Sequence, residues 1–196
     1  MNRTKLIAIM LGLTCGWIMS DGALAVSVKH MNLEEITSTA RTIFSGRCTG
    51  SESKVDAETG RDAVFYTFSV SKVIKGTPAK EYTLKMSKVA VNALHTSLFK
   101  KGDEVVLFLY GKSTLGFSSP VGLGQGKFRV KYSHTGEKLV VNERNNRNLF
   151  SGVDRAKYMK KFTGSDSLAK IESTMASPQG TIDYHTFVTL IEGILD

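Results

Sequence analysis

From Glu104 to Tyr110 the chain reads Glu-Val-Val-Leu-Phe-Leu-Tyr, apolar at every central position. A strand with one solvated face alternates, so this unbroken run fits only a strand buried on both faces. Such a strand needs neighbours on each side and cover above and below. The flanking sequence supplies the neighbours. Val64, Tyr66, Phe68 and Val70 alternate with Phe65, Thr67 and Ser69, the period of a half-buried strand. Arg41 to Cys48, Glu81 to Val89, Lys127 to Tyr132 and Lys138 to Asn142 read as further strands, and Gly46 allows a bend or bulge in the first. Thr59-Gly60 and Lys75-Gly76-Thr77-Pro78 are turn signals. The expected fold class is mostly β.

Three segments carry helical patterns instead. Met31 to Ala40 is a short N-terminal helix, with Asn32 as its cap, Glu34 and Glu35 in the first turn, and Leu33, Ile36 and Ala40 on one face. After about Phe150 the composition turns basic and a helix is expected near Ser167–Thr174. A final amphipathic helix begins near Asp183, its candidate cap, with Phe187, Leu190, Ile191, Ile194 and Leu195 on one side. Such a stripe either packs on its own domain or docks a partner.

The first residues concern address rather than fold. Arg3 and Lys5 precede an apolar run from Leu6 to Met19, and Ala23-Leu24-Ala25 is a small-x-small exit. That is the grammar of a secretory signal peptide over residues 1–25, with cleavage expected after Ala25 and a periplasmic or extracellular destination. A transmembrane reading is interrupted by Ser20, Asp21 and Gly22, and Gly12 and Thr14 do not suit a lipid-modified Cys15. Cleavage removes Arg3, Lys5 and Asp21, leaving 24 Lys and Arg against 17 Asp and Glu, a net charge of +7. That balance suits acidic partners, or serves solubility alone. Cys48 becomes the only cysteine, so no intramolecular disulfide can form and the core must hold the domain. A free Cys of this kind is most often a small buried hydrophobe.

Motifs for chemistry are sparse. Gly122-Leu123-Gly124-Gln125-Gly126 is glycine-rich, but a strand follows it where a phosphate cradle needs a helix N-terminus, so the glycines read as loop geometry. His30, His95, His134 and His185 have no metal-ligand spacing, and no nucleophile comes with a base. No catalytic residue, metal site or cofactor is therefore nominated. Lys127, Arg129 and Lys131 alternate with Phe128, Val130 and Tyr132, which places a basic row on one strand face and sends the apolar row to the core. With Lys157, Lys160 and Lys161 of the basic C-terminal segment, this row is the candidate anion-binding set. The alternative is that cations on an exposed strand deter edge pairing.

Ile43-Phe44-Ser45-Gly46-Arg47, Tyr66-Thr67-Phe68-Ser69-Val70 with Val73-Ile74-Lys75-Gly76, and Lys101-Gly102-Asp103-Glu104-Val105-Val106-Leu107-Phe108-Leu109 together resemble successive landmarks of netrin-like domains. The chain also resembles bacterial exported proteins without assigned function, through Gly122–Phe128 and the Asn-rich step 142–150. The resemblance implies an OB-type five-stranded β-barrel over residues 26–150, followed by a helical extension over 151–196. It also implies a binding role, since relatives inhibit metalloproteases or bind extracellular proteins. The inhibitors clamp a metal through a disulfide-tethered N-terminal Cys. The expected start here, Val26-Ser27-Val28, lacks one. The expected function is thus an exported, non-enzymatic binding module for an unidentified protein partner, or alternatively a binder of anionic polysaccharide or lipid headgroups.

Overall fold

The computed structural model of the chain describes residues 29–93, 98–160, 165–177 and 179–196, with side chains omitted at 157, 158 and 165–167. The expected signal peptide, His95 and Lys161 lie outside the described residues. Helix α1 (Leu33–Thr39) begins with a reciprocal cap. The Asn32 side chain accepts from the Glu35 amide at 2.8 Å, and the Glu35 carboxylate accepts from the Asn32 amide at 3.0 Å. Strands β1 (Thr42–Val55), β2 (Asp62–Lys75) and β3 (Glu81–Ser87) follow, then a short helix α2 (Lys88–Ala93) where the strand pattern had been expected to run on. Strands β4 (Glu104–Leu109), β5 (Lys127–Tyr132) and β6 (Lys138–Asn142) precede helices α3 (Arg155–Met159) and α4 (Ser165–Ala176). A two-residue strand β7 (Ile182–Asp183) leads into α5 (Tyr184–Leu195), capped by Asp183 as its position suggested.

The seven strands form one antiparallel sheet in the order β3-β2-β1-β4-β5-β6-β7. β4 sits at its centre, and Val105 to Leu109 are completely buried, as an apolar strand covered on both faces must be. β1 and β2 form a long hairpin in which the outer half of β1 is exposed while Ala63, Tyr66 and Phe68 of β2 stay buried. Register shifts near Gly46 bend β1, and a Cβ at that position would stand 2.6 Å from the Ser69 carbonyl oxygen.

Each face of the sheet has its own core. On one, Val106, Phe108, Phe128 and Val140 meet Leu33 and Ile36 of α1 and Phe187, Leu190 and Ile191 of α5. The amphipathic stripe of α5 therefore packs on its own sheet, and the 151–196 segment contributes β7 and α5 to the same body as α1. On the other face, Phe44, Tyr66, Phe68, Leu84, Val105 and Leu107 enclose Leu98 and Phe99. Phe99 meets Tyr66 and Phe68 edge-on, with both ring centroids at 5.0 Å.

The barrel expected from the resemblance is not closed. β3 is a sheet edge and forms no ladder with β5. Instead, the β4–β5 connection doubles back beside β4, with the Val121 amide donating to the Phe108 carbonyl at 2.9 Å and the Tyr110 amide to Ser119 at 3.0 Å. From there the Ser118 amide reaches the Lys85 carbonyl of β3 at 2.9 Å. Among the described residues no helix is long and apolar enough to cross a membrane.

Candidate functional site

The candidate basic row of β5 divides. Arg129 and Lys131 are exposed, but Lys127 is 1% exposed and is no part of a surface. Its register partner is Leu107, so it faces the core that contains Phe99. The ammonium donates to the Leu98 carbonyl at 2.8 Å, pairs with Glu143, and lies 5.4 Å from the Phe99 ring centre. Burial and these partners commit it to the protein's own groups, which corrects the expectation that it stands on a surface facing an anion. Glu143 also stands 4.0 Å from the Arg129 guanidinium. Lys160 is exposed; the Lys157 side chain and Lys161 lie outside the described residues. Tyr132, expected in the core, is 55% exposed, and its hydroxyl donates to Glu104 at 2.8 Å. Burial pushes the Glu104 carboxyl up, but hydrogen bonds from Lys138 and Tyr132 and the charge of Arg47 outweigh that and hold it below the usual carboxylate range.

The glycine-rich loop meets the Asn-rich step. Gly122 and Leu123 both adopt positive φ, +58° and +61°, and this brings Gln125 into the interior. Its side chain accepts from the Met31 amide at 3.0 Å and donates to the Lys29 carbonyl at 2.9 Å, clasping the segment that precedes α1. Asn142 donates to the Gln125 carbonyl at 3.3 Å. Gly124 leaves the room that the Glu143 carboxylate occupies on its way to Lys127. These residues hold the fold, as the loop-geometry reading expected. Cys48 is buried, and burial pushes its thiol above the ordinary range. Among the described residues no group of three His, Cys, Asp or Glu side chains is placed to hold a metal.

The open site lies elsewhere, on the outer side of β2 and β3. Tyr66, Leu84 and Met86 point inward, so the alternation turns Phe65, Thr83 and Lys85 outward. The turn end of the β1–β2 hairpin stands on one side of them and the β4–β5 connection on the other. Between these walls is a groove of about 580 Å³, lined by Lys54, Asp56, Glu58, Phe65, Thr83, Lys85 and Lys112 among others. Lys85 fixes its floor. Its ammonium pairs with Asp56 at 2.9 Å and Glu58 at 3.2 Å and sits 5.1 Å from the Phe117 ring centre. The hydrogen bond to Asp56 raises the Lys85 pKa, while the Thr59 hydroxyl, 2.6 Å away, and Lys85 lower that of Asp56. The hairpin, β3 and the connection are thereby joined at one side chain. Lys54 lies over Phe65 at 5.2 Å, which gives the groove a cation seated on an aromatic ring, while Lys112 also reaches the inward-facing Tyr82 ring at 5.9 Å. Sequence reasoning missed this site because its walls come from three separated segments.

No protein-family model matches the chain, and no curated protein matches it.

Proposed function

We propose that this is an exported, non-enzymatic binding module built on a half-open, netrin-like barrel, and that it engages a protein partner through the groove over β2 and β3. The single observation that carries the reading is the groove itself: a rigid floor at Lys85, an outward Phe65, lysines placed on aromatic rings, and the β3 edge alongside. The strand order β3-β2-β1-β4-β5 supports the barrel part of the reading, because closing β3 against β5 would complete a five-stranded barrel. OB-type barrels take their ligands on the face of strands two and three, between the first hairpin loop and the loop joining strands four and five. The groove occupies the corresponding position. Its charges nearly cancel, with Lys54, Lys85 and Lys112 against Asp56 and Glu58, which suits a polypeptide surface of mixed polarity better than a polyanion. The test is affinity capture from the exported fraction of the source cells, using the mature protein and a Phe65→Ala/Lys112→Glu variant of equal melting temperature. A partner retained by the first and lost from the second supports the reading. A partner retained equally by both overturns it.

A second reading, binding of anionic polysaccharide or lipid headgroups, draws on the exposure of Arg129, Lys131 and Lys160. It requires affinity for a polyanion that falls steeply with salt, since each contact releases counterions. It also requires loss of that affinity when the three residues become Gln.

A further inference from the structure

A second concavity, independent of the groove, lies between α4, the 179–181 turn and β7 and measures about 250 Å³. Its floor is apolar, from the buried rings and branches of Phe150 and Ile182. Lys170, Gln179 and Thr181 form part of its wall, and the rest of the α4 side is hydroxyls whose hydrogens are already committed. Ser173 and Thr174 both donate to the Lys170 carbonyl, at 3.0 and 2.7 Å, and Ser177 donates to the Ser173 carbonyl at 3.1 Å. Each hydroxyl therefore offers its lone pairs rather than its proton. The fourth wall is Asp183. Its Oδ1 accepts from the Thr186 amide and hydroxyl, both at 2.9 Å, and pairs with Lys170 at 3.3 Å. Among the described residues nothing donates to Oδ2. Burial pushes this carboxyl up, but the Thr186 bonds and Lys170 outweigh it and keep the group ionised.

Acceptors at Ser173, Thr174, Ser177 and Asp183 thus stand beside donors at Lys170, Gln179 and Thr181, a mixture that suits a ligand whose groups both donate and accept. A cation would meet Lys170, which already neutralises Asp183. What remains is a neutral polyol with an apolar face for the Phe150–Ile182 floor. We infer that the cavity binds one sugar ring, a neutral hexose or N-acetylhexosamine unit. The volume lies below the ~300–1,000 Å³ of pockets for larger ligands and suits a single ring.

The test is ligand-observed NMR and calorimetry on the mature chain with methyl glucoside and N-acetylglucosamine, beside choline and inorganic phosphate. Saturable millimolar binding of either sugar is expected, with neither charged probe competing. Thr174→Val removes one acceptor without changing shape, and Asp183→Asn keeps a helix-capping side chain while removing the charge. Each is expected to weaken sugar binding about tenfold, one good hydrogen bond's worth, while a cooperative melting transition well above the assay temperature shows each variant folded. No saturation by either sugar overturns the inference. So does sugar binding that both variants leave intact, or tighter binding of phosphate or choline.

Discussion

Lys85 and Lys127 flank the same opening in the sheet and are held alike, each by two oxygens and one aromatic ring. Lys85 has Asp56, Glu58 and Phe117; Lys127 has the Leu98 carbonyl, Glu143 and Phe99. The difference is what lies above them. Phe99 is buried among Tyr66 and Phe68 and seals Lys127 inside the second core. Phe117 is half-buried, and the space beside Lys85 stays open as the groove. Two lysines in similar settings thus do different work. One is sealed within the second core of the sheet, and the other braces the walls of a groove that faces solvent.

The contrast can be broken most severely at the rings. Phe99→Ala should cost about 3–5 kcal/mol, the range for a buried aromatic, whereas Phe117→Ala should cost about 1 kcal/mol or less. Urea unfolding of the two variants measures both, and equal losses would erase the distinction. Next in size is Lys127→Met, which fills the same space but leaves the Leu98 carbonyl unpaired. Glu143, half-exposed, can turn to water, so a loss of about 1–3 kcal/mol is expected. A pH titration sharpens the Lys85 side. Asp56 has a lowered folded pKa, so its contribution is present above the ordinary carboxylate range and is lost as pH falls through the folded value. Lys85, with a raised pKa, contributes below the ordinary lysine range and loses that contribution as pH rises through its folded value. Melting temperature followed against pH should show a shallower acid limb in Asp56→Asn. The smallest effect belongs to Arg129→Gln/Lys131→Gln, which should lie within about 0.5 kcal/mol of the parent by the same unfolding assay.

Much of the scaffold could be read directly from residue order. The unbroken Val105–Leu109 run announced a central strand, and Asn32 and Asp183 marked helix starts that the caps bear out. The outer half of β1 was not legible, because residues 49–55 leave the core and alternation loses its meaning when both faces meet water. β7 was too short to show a period. Lys127 was misplaced for a different reason. The alternation of β5 correctly put it on the side opposite Phe128, but the cover over that side comes from Leu98 and Phe99, which lie 29 and 28 residues earlier in the chain. Period tells which way a side chain points, not whether something distant lies over it. The groove was hidden similarly, since Lys54, Phe65, Lys85 and Lys112 acquire a common meaning only after β1, β2 and β3 pair and the β4–β5 connection crosses to Lys85.

The central claim is that partners meet the molecule at the groove and not at the basic strand. Its most direct test is site-specific photo-crosslinking in the source cell, with a benzophenone side chain placed at Phe65 in one protein and at Lys131 in another. A discrete adduct from position 65 that is absent from position 131 is the predicted result. An adduct from position 131 with none from position 65 would contradict the account and return the binding face to β5.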